Sequence, residues 1–118
     1  MSHTATVKVE FKDLTALKTV CDRLKIKLKI GEQTVKLYSE TKAGDISFQL
    51  PGWNYPVIIS EGTAYYDNFN NQWGHISELH KLQQAYAEEA TMNQAHLMGY
   101  SVERQLADDG SIQLYLTR

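Results

Sequence analysis

Six aromatic side chains, Trp53, Tyr55, Tyr65, Tyr66, Phe69 and Trp73, fall within twenty-one residues and are interleaved with Asn54, Asp67, Asn68, Asn70 and Asn71. The chemistry such residues do is binding. Rings give large contact area at low entropic cost, and amides adapt their hydrogen bonds, a pairing used by protein-binding surfaces and base-stacking platforms. The competing interpretation is that most of the rings cover a helix–sheet core while the asparagines shape turns. The set expected to meet a protein partner is Trp53, Tyr55, Tyr66, Asp67, Asn68, Phe69 and Trp73.

Lys8, Lys25, Lys27, Lys29 and Lys36 form a second group. Strand alternation puts them on one sheet face, where they could contact nucleic-acid phosphates. Against this, a solvated sheet face needs polar residues anyway, and lysines on strands discourage aggregation through sheet edges. Catalytic patterns are weaker still. His75 and His80 are five apart and do not share a helical face as zinc ligands at i and i+4 would, and His3 and His96 lie far from both in the sequence. No Gly-rich phosphate loop, Cys-x-x-Cys or nucleophile elbow occurs. Glu88 and Glu89 are helix neighbours that diverge by about 100°, a solvated face rather than an acid/base pair. The expectation is therefore no enzyme, no cofactor and no metal.

Composition narrows the classes further. A chain of 118 residues reads as one domain, large enough to bury about two-thirds of its unfolded surface without staples. The single cysteine, Cys21, excludes an internal disulfide and is expected to be a packing residue. The start MSHTATVKVEF lacks a signal-peptide core, and no run approaches the roughly 20 apolar residues of a membrane span, so a cytoplasmic protein without a membrane partner is expected. The formal charge is −2, but residues 1–42 carry nine lysines and arginines against five carboxylates, and the remainder three against nine. That polarity can steer a charged partner or drive self-association.

The element that must position everything else is Ser77–Met98. At 3.6 residues per turn Leu79, Leu82, Tyr86, Ala90 and Leu97 share one face, interrupted by Asn93, expected to be a buried hydrogen-bonded residue that fixes register rather than the point where the helix leaves the core. Ser77 can cap its start and Gly99 its left-handed end. Its length of roughly 33 Å suffices to cross a small sheet. Asp13 caps a shorter helix through about Leu24, with Leu14, Leu17, Val20, Cys21 and Leu24 as its stripe. The remaining segments alternate as strands: Ala5–Phe11, Lys25–Ile30, Thr34–Ser39, Ile46–Leu50, Pro56–Ser60, Thr63–Tyr66, Tyr100–Leu106 and Ser111–Thr117. Turns are expected at Gly31-Glu32, Ala43-Gly44-Asp45, Pro51-Gly52, Glu61-Gly62 and Asp108-Asp109-Gly110. Inward sets are Ile26, Leu28 and Ile30, then Ile46, Phe48 and Leu50, and finally Ile112, Leu114 and Leu116. The order β-α-β-β-β-β-β-α-β-β, with short turns and one apolar face per strand, predicts an α+β fold. Its form is a single antiparallel sheet with both helices packed on one face.

Three stretches, MSHTATVKVEFKDLTALKTVCDRL, YYDNFNNQWG and LQQAYAEEATMNQAHLMGYSVERQLADDGSIQLYL, together resemble the hypothetical chloroplast open reading frame thirty-five family, a group without an established activity. The resemblance implies relatives in cyanobacteria, plastids and bacteriophages, some encoded beside AAA+ ATPases. The Leu50–Pro56 stretch is more similar to the phage and non-photosynthetic members. The resemblance further implies an accessory or host-interference protein whose partner is an AAA+ ATPase or a host protein. Nucleic-acid binding through the lysines, small-molecule sequestration in a pocket beside the long helix, and a homo-oligomer through a sheet edge are the alternatives.

Overall fold

The computed structural model describes residues 4–8, 11–106, 108 and 112–117. In chain order the elements are β1 (Ala5–Lys8), α1 (Leu14–Arg23), β2 (Lys27–Lys36), β3 (Thr41–Gln49), β4 (Val57–Ser60), β5 (Thr63–Tyr66), α2 (Ile76–Leu97), β6 (Ser101–Leu106) and β7 (Ile112–Thr117). The protein is α+β and every strand pairing is antiparallel. Five strands form one sheet in the order β1-β5-β4-β3-β2, and β6 with β7 forms a separate two-stranded sheet. The expected single sheet is thus divided, because the chain leaves the main sheet through α2 and does not return to either edge. Val9 and Glu10 of the expected first strand, Asp109 and Gly110 of the expected last turn, and Ala107 and Ser111 lie outside the described residues.

Both helices pack on the same sheet face. Leu17, Val20 and Cys21 of α1 and Leu79 and Leu82 of α2 share one core with Ile46, Phe48, Val57, Ile59 and Ala64. β1 and β2 are opposite edges of the sheet, so α1 carries the chain across its whole width. Asp13 caps α1 as expected, its carboxylate accepting from the Ala16 N–H at 3.0 Å. It also ties the two helices together. The Asp13 N–H donates to the Tyr86 hydroxyl at 2.9 Å, and Asn93 Nδ2 donates to its other carboxylate oxygen at 3.4 Å. Asn93 is thus hydrogen-bonded as its place on the stripe suggested, but it is half-buried rather than buried.

α2 begins differently from expectation. His75, not Ser77, is the N-cap, because its Nδ1 accepts from the Ser77 N–H at 3.1 Å. Its end is as expected: Gly99 at φ +86° closes a pair of bonds, Gly99 N–H to the His96 carbonyl and Tyr100 N–H to that of Ala95, which satisfies the last turn. The stripe does not stay buried, however. Leu97 is 84% exposed, since α2 outruns the sheet and meets only the small hairpin beyond.

The larger departure lies in β2 and β3. The Gly31-Glu32 pair is not a turn but a bulge within one continuous strand, between the pairs Ile30–Ile46 and Gln33–Gly44. Ala43-Gly44-Asp45 is likewise inside β3. One strand therefore replaces two expected ones, and the true turn is at 37–40, closed by the Leu37 N–H to the Glu40 carbonyl. A bulge bends and twists its strand, and here the outer half of the hairpin folds back over the face opposite the helices. Gly44 lies against Ile58 and the Ile59 carbonyl, Lys42 sits 4.1 Å above the Tyr65 ring, and the Ser47 hydroxyl bonds Gln33 of the same hairpin. That second face is covered by the chain itself, which explains why Ile58 and Leu37 are fully buried away from the helix-side core.

Candidate functional site

The returning hairpin brings Tyr38 to the aromatic loop. Pro51 and Gly52 form the turn that ends β3, with Gly52 at φ +77° and the Trp53 N–H bonded to the Leu50 carbonyl. Trp53 then folds inward and is only 5% exposed. It packs on Tyr66 at 5.6 Å between ring centres and donates its indole N–H to the His75 carbonyl at 3.0 Å. Gly74 lies directly against its ring, where a Cβ would collide. Trp53 is therefore the pin that joins the sheet to the start of α2.

Residues 67–74 are built around their asparagines. Asp67 is fully buried, and one of its oxygens accepts from the Phe69 N–H at 3.2 Å. The other has no hydrogen-bond partner among the described residues. Phe69, Asn70 and Asn71 all have positive φ, at 45°, 51° and 72°. Asparagine tolerates this region and phenylalanine does not, so the loop stores some strain at Phe69. Asn71 Oδ1 accepts from the amide of buried Asn68 at 3.2 Å and from the Ile76 N–H at 2.9 Å, while the Trp73 carbonyl accepts from Asn54 N–H at 2.8 Å.

This frame holds four rings together at the surface. Trp73 is the hub: Phe69 stacks on it at 4.8 Å, Tyr38 lies 4.8 Å away and Tyr55 5.6 Å. Tyr38 and Tyr55 meet edge to face at 6.4 Å. Tyr38 is 53% exposed, and Tyr55, Phe69 and Trp73 are each half-buried. Of the seven residues expected to form a partner surface, then, Tyr55, Phe69 and Trp73 come together at the exterior. Trp53, Asp67 and Asn68 are interior residues that shape the loop, a correction to that surface. Tyr66 is half-buried against Trp53, and burial raises its hydroxyl pKa. Tyr38 was missed. It lies fifteen residues before the aromatic stretch begins, and nothing local to it reports that the hairpin folds back.

The lysines do not make one flat face. Lys27 and Lys29 line a groove of about 290 Å³ with Gln33, Val35, Ser47 and Gln49 beneath the folded hairpin. Lys36 is exposed beyond the bulge, on the opposite side of the strand from Val35. Lys25 is in the left-handed turn after α1, at φ +59°. The side chain of Lys8 lies outside the described residues.

Cys21 is 1% exposed, and burial pushes its thiol up to about 11, the behaviour of a packing residue. Among the described residues no three histidine, cysteine or acidic side chains could hold a metal ion, and no helix is long and apolar enough to cross a membrane. Beside α2 the surface offers two open hollows, of about 250 Å³ against Leu114 and about 330 Å³ against Leu116. No protein-family model, curated protein or solved structure matches the chain.

Proposed function

We propose that this is a non-enzymatic binding protein of the cytoplasm that engages a protein partner through the cluster Tyr38, Tyr55, Phe69 and Trp73. One observation carries the reading: two segments distant in sequence converge on Trp73 and present four rings at the surface, with Tyr38 more than half exposed. Rings held in place by their neighbours lose little entropy on contact, which is why such clusters act as anchors in interfaces. The strained Phe69 backbone fits this reading, because strain persists where surrounding structure enforces a particular presentation. An AAA+ ATPase or, for a phage-encoded protein, a host protein is the first partner to try, on the strength of the sequence resemblance.

The test is a photo-crosslinking amino acid placed at Tyr38 or Tyr55 in the native host, with the exposed helix position Gln84 as control. The expected outcome is one discrete adduct from both ring positions and none from Gln84. Identical adducts from all three positions, or none from the ring positions at full expression, would remove the cluster as the partner surface.

A further inference from the structure

We infer that the groove between α1 and the outer edge of β2 docks an extended, acidic segment of a partner protein, which adds to the main sheet as a sixth strand. The site is separate from the ring cluster and does not depend on it. β2 ends the sheet, and its outer side pairs with no described strand. Alongside it runs a groove of about 410 Å³ lined by Lys18, Cys21 and Asp22 of α1 and by Ile26, Leu28 and Ile30. A groove between a helix and an open strand edge suits strand addition, in which main-chain bonds supply affinity and alternate side chains supply selectivity.

The chemistry of the occupant is set by the alternation of β2. Leu28 and Ile30 pair with Phe48 and Ile46, both core residues, so they point to the helix side. Ile30 is nevertheless 43% exposed, an apolar side chain at the open edge that lines the groove. Lys27 and Lys29 point to the other face and are exposed, as is Lys25 just before the strand. Lys18 adds a fourth positive charge at the rim, against Asp22 in the groove and Glu32 at the bulge. An added strand therefore meets apolar side chains at one parity and ammonium groups at the other. Its complement places an apolar residue at every second position and Asp or Glu between them. A second copy pairing antiparallel through this edge would instead set lysine against lysine, which is destabilising. The bulge at Gly31-Glu32 limits the ladder to Lys27–Ile30, so the recognised segment is about four residues long, roughly 13 Å.

The experiment titrates the full-length isotope-labelled protein with acetyl-Glu-Val-Glu-Leu-Glu-Ser-amide and follows backbone amide resonances. Shifts confined to 27–30 and to α1 residues 18–22 are expected, with affinity falling several-fold as salt rises from about 50 to 200 mM. Replacing each Glu of the peptide by Lys, or N-methylating its alternate ladder amides, should weaken binding at least tenfold. The double variant Lys27→Glu/Lys29→Glu, at exposed positions, should reverse the preference toward the lysine peptide. A Tyr38→Ala/Trp73→Ala variant should bind the acidic peptide unchanged, which separates this site from the ring cluster. Absence of shifts at β2, equal binding of both peptides, or shifts at the same amides from an oligothymidylate but not from the peptide would each overturn the proposal.

Discussion

Cys21 shows how one residue records its surroundings. Its thiol is enclosed by the core between α1 and the sheet, and burial raises its pKa from about 9 to about 11, because a thiolate there would lose its hydration without gaining a partner. The consequence for stability has a definite sign. Below about pH 9 the thiol is protonated in both folded and unfolded chains and contributes no pH dependence. As the pH rises from about 9 to about 11 the unfolded chain ionises while the native one does not, so stability falls across that window. Tyrosines and lysines titrate in the same range, so the measurement is a difference: urea midpoints of wild type and Cys21→Ala at successive pH values. Wild type should start more stable, by the contacts its sulfur makes, and lose that lead as the pH rises. Parallel pH profiles would mean that the sulfur is solvated in the native state. The same burial predicts that alkylating reagents at pH 8 reach Cys21 only through opening of the native state, far more slowly than they modify an exposed thiol.

At the scale of elements, the folded-back hairpin of β2 and β3 is what converts a one-faced sheet into a layered one and delivers Tyr38 to Trp73. Its closest approach is at Gly44, where an added Cβ would stand 2.5 Å from the Ile59 carbonyl and 2.6 Å from Ile58. Backbone cannot move aside as a flexible side chain can. Gly44→Val should therefore cost several kcal/mol, on the order of 3 kcal/mol by comparison with other overpacked sites. It should also lift the hairpin enough to separate Tyr38 from Tyr55 and raise the solvent exposure of both. Tyrosine fluorescence quenching and the denaturation midpoint read the two effects. A variant of wild-type stability would show that the hairpin is not held against Ile58. This element also marks the limit of what was legible in the sequence. The Asp13 cap, the Gly99 stop and the Glu61-Gly62 turn, with both residues at positive φ, are local devices whose residue types state their geometry. Gly31 serves a bulge as readily as a turn, and only the pairing partner, Gln33 with Gly44, distinguishes them. Of the site, the rings of the loop could be read directly. Which of them the loop turns inward depends on Trp53 reaching His75, a contact across twenty-two positions, and on a hairpin tip that no local pattern places.

At the scale of the whole molecule, the helical periodicity of α2 continues past the point where there is a sheet to pack on, and this shapes the protein. Its dimensions are 53 × 33 × 22 Å with a radius of gyration of 15.7 Å, above the roughly 13.5 Å of a compact chain of this length. The excess comes from the far half of α2 and the β6–β7 hairpin. Leu79 and Leu82 anchor the first half of the helix in the core, whereas the second half has only Ala95 fully buried. The hairpin meets that half through the Arg104–Glu88 ion pair, with Leu114 and Leu116 only lining open hollows against it, while Leu97, Met98, Leu106, Tyr115 and Leu116 are exposed. An ion pair with one partner largely in solvent adds little, and a two-stranded sheet is marginal by itself. Cooperativity should therefore break beyond Asn93, because Tyr86 is the last α2 side chain packed against the main core and Asn93 the last bonded to α1. Native-state amide exchange tests this directly. Amides of β6, β7 and the last turns of α2 should exchange through a partial opening at a free energy below that of β3, β4 and the first half of α2, and that free energy should fall with low denaturant along a shallower slope than the main sheet's, because less surface is exposed. Leu82→Ala should lower the protection of the sheet by about 2–5 kcal/mol, and Leu97→Ala should leave it unchanged, since that side chain is almost wholly in solvent. If both regions exchange at one common free energy, the hairpin belongs to the cooperative core, and its exposed leucines must then be covered by a contact that a single copy of the chain does not supply.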